Sequence, residues 1–114
     1  MDISLTAITF DCAHAAAVAG FWSAVLDRPV DDGADETYAL IPGSPAFAFL
    51  QVPEPKATKN RVHPDLAVPD LAAAVERAVA LGATRMRDVE EQGERWTTLT
   101  DPEGNEFDLV SSSS

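Results

Sequence analysis

The stretch Asn60-Arg61-Val62-His63-Pro64-Asp65-Leu66-Ala67-Val68-Pro69-Asp70 decides how the chain is read. Arg61 to Val68 reads as a strand, with His63 and Asp65 two residues apart and so on one face. Pro64 has no amide hydrogen to give to a ladder, which predicts a sheet edge or a bulge. Asp70 is an N-cap candidate, because its carboxylate can accept free amide hydrogens at a helix start. Leu71, Ala74, Val75, Ala78 and Leu81 then recur at helical spacing, and Gly82 supplies the left-handed stop. Beyond it the pattern predicts a strand over Thr84 to Val89 and a turn over Glu90 to Gly93. A final hairpin follows, Arg95 to Thr100 and Glu106 to Val110, around Asp101-Pro102-Glu103-Gly104-Asn105. Proline in the second turn position and a later glycine suit a type I turn with a bulge.

The first half has the same order. Ile3 to Asp11 reads as a strand, and Ala15 to Leu26 as a helix whose apolar stripe is Val18, Phe21, Trp22 and Val25. Pro29 ends the helix near Asp27. Pro29 to Asp32 is a short strand candidate. Glu36 to Ile41 and Ala46 to Val52 form a hairpin closed by Pro42-Gly43-Ser44-Pro45. Pro53 to Asn60 is an extended linker without apolar residues. The predicted fold class is α+β, with two tandem βαβββ modules in one domain over residues 1–110. Module one covers 3–52, the linker 53–60 and module two 61–110, and Ser111 to Ser114 form a frayed tail. Neither module closes a core alone. Two such four-stranded sheets face each other across a concave cleft, or exchange between chains.

Totals narrow the function. The 114 residues make one small domain, and 46% hydrophobic residues suffice for a core. No apolar run approaches the roughly 20 residues that cross a bilayer. Met1-Asp2-Ile3 lacks the basic start of a signal peptide, so a soluble cytoplasmic protein is expected. Cys12 is the only cysteine, which excludes an intramolecular disulfide and suits a small buried thiol. A net charge of -11 opposes binding to nucleic acid and suits solubility or a cationic ligand. The sequence has no phosphate-cradling glycine loop and no nucleophilic serine or cysteine motif.

Three groups of residues carry a family resemblance. They are Phe10-Asp11-Cys12 with Phe21-Trp22-Ser23-Ala24-Val25-Leu26; Val52-Pro53-Glu54-Pro55-Lys56 with Lys59 to Leu66; and Asp101-Pro102-Glu103-Gly104-Asn105-Glu106-Phe107. Over nearly its whole length the chain resembles the vicinal oxygen chelate superfamily of glyoxalase, bleomycin-resistance and dioxygenase proteins, and within it the glyoxalase-like domain proteins. The resemblance implies paired βαβββ modules, a homodimer, and a small-molecule cleft that often holds one divalent metal. The usual ligands are His or Glu from the first and last strands of the modules. Carried onto this sequence, those positions are Ala7, His63, Asp108 and one near Leu50 or Gln51. Ala7 cannot ligate, so the usual His-His-carboxylate set is incomplete. A catalytic metal normally has about three protein ligands and an open position. Asp65 is the candidate third ligand, with Asp11 and Glu106 in the neighbourhood.

The expected catalytic residues are therefore His63 and Asp108, and the expected metal set is His63, Asp108 and Asp65, for Zn, Ni, Mn or Fe. Asp108 interrupts the apolar run from Phe107 to Val110, and an inward carboxylate is costly unless paired or metal-bound. Trp96, Phe49, Gln51, Ala7 and Asp11 are the expected ligand-binding residues, Trp96 by stacking on a flat guest. Lys56, Lys59 and Arg61 form a local basic cluster that solvates the linker or holds an anionic group, and His14 is a surface cap. Two functions follow. One is a metal-dependent lyase or isomerase acting on a substrate with vicinal oxygens. The other is a metal-free protein that sequesters a drug or metabolite, for which the acidic charge and aromatic residues suit a cationic aromatic guest. A scaffold without a small ligand is the third and least supported.

Overall fold

The computed structural model describes residues 1–112. The elements run β1 (Ala7–Cys12), α1 (Ala15–Leu26), β2 (Tyr38–Ile41), β3 (Ala46–Gln51), β4 (Asp65–Val68), α2 (Leu71–Ala80), β5 (Thr84–Glu91), β6 (Glu94–Thr100) and β7 (Glu106–Ser111). The fold is α+β, and the chain divides after Lys56 into two compact units.

In the first unit the sheet order is β1-β3-β2, with β1 parallel to β3 and β2 antiparallel to it. Alternation along β1 and β3 turns Phe10, Phe47 and Phe49 toward α1. There Phe10 and Phe47 meet Trp22 at ring-centroid distances of 5.3 and 5.7 Å, and Phe49 stacks at 5.2 Å from Phe10. Trp22 and Phe49 are fully buried, so this aromatic cluster is the unit's core. The helix ends where Asp27 turns left-handed (φ 54°) and its amide bonds to the Ser23 carbonyl.

Three expectations for this half change. The first strand starts at Ala7 rather than Ile3, because its partner β3 starts at Ala46, after the proline turn. Ile3 and Leu5 are left exposed. Pro29 to Asp32 is not a strand; the Asp31 amide bonds to the Leu40 carbonyl of β2 without forming a ladder. The sheet therefore has three strands, not four. Strand β2 starts at Tyr38 because the Asp35 carboxylate takes the amides of Thr37 and Tyr38 into a turn.

The second unit has the order β4-β7-β6-β5, with β4 parallel to β7 and the other pairs antiparallel. One face, carrying Leu99, Phe107 and Leu109, is buried; α2 contacts this sheet and buries its own Val75 and Ala78. Asp70 caps α2 by accepting from the Ala73 amide. Gly82 (φ 120°) closes the helix: its amide bonds to Val79 and that of Ala83 to Ala78, the Schellman pattern.

Strand β4 starts at Asp65, not Arg61. Pro64 cannot donate, although its carbonyl still accepts from Asp108, and the strand lies at the sheet edge. The turn expected over Glu90 to Gly93 contracts to two residues, Gln92 (φ 51°) and Gly93 (φ 82°). Two positive φ values are the I′ geometry that matches strand twist. Of the expected tail, Ser111 belongs to β7 and Ser112 bonds to the Val68 carbonyl, while Ser113 and Ser114 lie outside the described residues. Among the described residues no helix is long and apolar enough to cross a membrane.

Candidate functional site

The outward face of the second sheet is polar where a solvated face of an edge strand and its neighbours would be, but its residues are organised. Asp65 on β4 stands opposite Asp108 on β7, and Asp108 stands opposite Thr98 on β6. His63 precedes β4 by two residues, and the extended chain through Pro64 brings it to the Asp65 side. Its Nδ1 lies 3.0 Å from Asp65 Oδ1 and 3.7 Å from Asp108 Oδ2. The three side chains offer ligand atoms that all lie within 4.8 Å of one another.

The two carboxylates differ in freedom. The Asp108 side chain is 13% exposed, and its Oδ1 accepts a 2.6 Å hydrogen bond from the buried Thr98 hydroxyl. The Asp65 side chain is 59% exposed and bonds to His63 alone among the described residues. Glu106, at the near end of β7, is turned to another task. It accepts from the Asn60 amide at 2.7 Å, and its carbonyl accepts from the Asn60 side chain at 3.1 Å. These bonds tether the chain just before His63. Below the site, buried Asp101 accepts from the amides of Glu103 and Asn105 and from the Asn105 side chain, which fixes the turn that aims β7.

The trio lines a pocket of about 620 Å³ together with Trp96, Met86, Arg87 and Lys59. Half-buried Trp96 supplies an aromatic wall two residues along β6 from Thr98. The donor set is suited to a divalent ion. Metal–ligand bonds of about 2.1 Å put neighbouring ligand atoms about 3.0–3.4 Å apart. The separations of 3.0 and 3.7 Å around His63 Nδ1 bracket that range. One imidazole and two carboxylates match borderline and hard ions such as Zn, Ni, Mn or Fe(II).

Thus the structure brings His63, Asp65, Asp108 and Trp96 to one pocket. The other expected residues belong to the first unit. Ala7 pairs with Ala46 and has no ligand atom in its side chain. Asp11 is exposed on β1. Gln51 is exposed and donates to the Ala13 carbonyl at 2.9 Å. Phe49, expected to meet a ligand, is fully buried against Phe10 and acts in the core instead. Its strand alternation reads the same for either face, so sequence alone did not separate them. Thr98, Arg87 and Met86 were not anticipated. Their place depends on cross-strand register, which leaves no local signal in the sequence.

Comparison with known proteins agrees with this geometry at the level of fold. A glyoxalase/bleomycin resistance protein/dioxygenase family enzyme from Burkholderia phytofirmans superposes with a TM-score of 0.83 at 16% identity, covering 97% of this chain and all of that one, 100%. The fosfomycin resistance protein FosX from Mesorhizobium loti gives 0.77 at 18% identity, over 99% and 95% of the two chains. The bleomycin-binding protein of Streptomyces verticillus, solved with copper(II)-bleomycin, gives 0.68 at 17%, over 99% and 99%. At such identities these structures share the fold with this chain and say nothing further of its chemistry. No curated protein matches it in sequence. The profile of the glyoxalase-like domain matches residues 7–110, from the first residue of β1 to the last but one of β7, and the chain belongs to the glyoxalase-like domain family.

Proposed function

We propose that the second unit holds one divalent metal ion through His63, Asp65 and Asp108, and that the protein is a lyase or isomerase acting on a small substrate with two adjacent oxygens. The observation that supports this most is the trio itself: three ligand atoms within 4.8 Å, lining a pocket wide enough for a small molecule. A bound ion would supply Lewis acidity for oxygens on adjacent carbons. The residues of the chain divide the remaining work. Asp108 is the fixed ligand, because the Thr98 hydroxyl and the surrounding sheet hold it. Asp65, more exposed and less constrained, would be the carboxylate able to take up and pass on a proton. His63 is steadied by the Asn60 tether, and Trp96 covers one side of the pocket, stacking on a flat substrate and keeping water away.

The test is a calorimetric titration of Zn, Ni and Mn into wild type, His63→Ala and Asp65→Asn. One ion per chain is expected in wild type, with affinity lost in His63→Ala and weakened about tenfold or more in Asp65→Asn. Equal binding by all three proteins would remove the metal site. Absence of binding would favour the second function, a metal-free pocket for a cationic aromatic guest, which the net charge of -11 and the Trp96 wall support.

A further inference from the structure

The row of paired residues that carries the carboxylates does not stop at Thr98. Asp65 is opposite Asp108, Asp108 is opposite Thr98, and Thr98 is opposite Arg87 on β5. Arg87 reaches this row through a defect in the ladder. Arg85 pairs with Leu99 and Arg87 with Thr98, so β5 advances two residues while β6 advances one. Met86 is the extra residue of a β-bulge. In a regular ladder Arg87 would stand opposite Thr97, which is buried on the face of Leu99's neighbours. The bulge instead brings Arg87 into register with Thr98, and both Met86 and Arg87 line the pocket of the trio. Bulges commonly re-aim a side chain beside a site.

Arg87 is also uncommitted. Its neighbour Arg85 is paired with Asp88, and Arg28 is bonded to the carbonyls of Pro42 and Pro45. Neither Arg87 nor Lys59 has an ion-pair partner among the described residues. The pocket nevertheless contains four carboxylates, Asp65, Glu94, Glu106 and Asp108. Two inter-strand steps of about 4.8 Å set the Arg87 backbone about 10 Å from that of Asp108. A small molecule held at the trio fits between them.

We propose that Arg87 is the specificity residue of this pocket, and that the substrate is an oxygen-chelating acid bearing a second anionic oxygen group, which the Arg87 guanidinium binds. This assignment rests on the metal site proposed above. A planar guanidinium matches a carboxylate or phosphonate through two parallel hydrogen bonds. Four carboxylates against two cations would repel such an anion from the empty pocket. A divalent ion removes that excess, so the anion binds only after the ion.

The experiment uses Zn-loaded protein and two probes that share a 2-hydroxy acid head and chain length, 2-hydroxyglutarate and 2-hydroxyvalerate. Only the first has a second carboxylate. Wild type is expected to bind 2-hydroxyglutarate about tenfold more tightly, the worth of one charge-assisted contact. Arg87→Gln is expected to bring the two within about twofold while leaving the Zn isotherm unchanged. Arg61→Gln, which removes an exposed cation that does not line the pocket, is expected to keep the preference. Equal affinities in wild type, a preference that survives Arg87→Gln, or an equal loss in Arg61→Gln would each overturn the assignment to Arg87 while leaving the metal site standing. Failure of wild type to bind Zn would remove the metal site, and this assignment with it.

Discussion

Thr98 shows how a single hydroxyl conditions the site. It is 4% exposed, and its one strong partner is Asp108 at 2.6 Å. Replacing it with valine keeps the shape and removes the donor, leaving a half-buried carboxylate with one bond fewer. Groups that orient a ligand are worth about 10–100-fold in metal affinity. Thr98→Val is therefore expected to weaken Zn binding within that range. Urea unfolding should show a loss of about 1.5–3 kcal/mol, the usual worth of a hydrogen bond to a charged group. Unchanged Zn affinity would mean that Asp108 is not held by Thr98 in the working site. At this scale the sequence was half legible. Strand alternation alone put His63 and Asp65 on one face, and a carboxylate inside an apolar run marked Asp108. Thr98 and Arg87 were silent, since nothing near them in the chain says which residues they oppose.

Elements were legible where local chemistry fixes them. The spans of α1, the Asp70 cap and the Gly82 stop of α2 follow from spacing and capping residues. Strand ends were less so, because a strand lasts only as long as its partner does, and β1 and β4 both start later than their composition suggests. The β5–β6 hairpin has its own electrostatic clasp. The Thr97 hydroxyl, and then Arg85, donate to Asp88 and hold its carboxyl below the usual carboxylate range. A carboxyl lowered in the folded state adds stability above its unfolded pKa of about 3.9, and that contribution fades as pH falls through the folded value. Thr97→Val should move the Asp88 titration upward toward its ordinary range in a carbon-detected NMR pH series. An unmoved midpoint would show that Arg85 alone sets it.

For the whole molecule, the repeat of one strand-helix-strands unit was readable from the order of patterns, and the family match over residues 7–110 spans both halves. The halves have diverged in what they contribute. The first unit packs its phenylalanines into a core around Trp22, and Ala7 carries no ligand atom. In the second unit an edge strand, a proline and a tethered loop gather His63, Asp65 and Asp108. A sequence records which residues are present in each half; it does not record that a bulge at Met86 and a register across four strands put Arg87 in line with them. The most direct measurement of the central claim is anomalous diffraction, at the zinc edge, from crystals grown with Zn. The expected result is one strong peak per chain, about 2.0–2.2 Å from a His63 nitrogen and from carboxylate oxygens of Asp65 and Asp108. A peak at other residues, or none in the second unit, would contradict it.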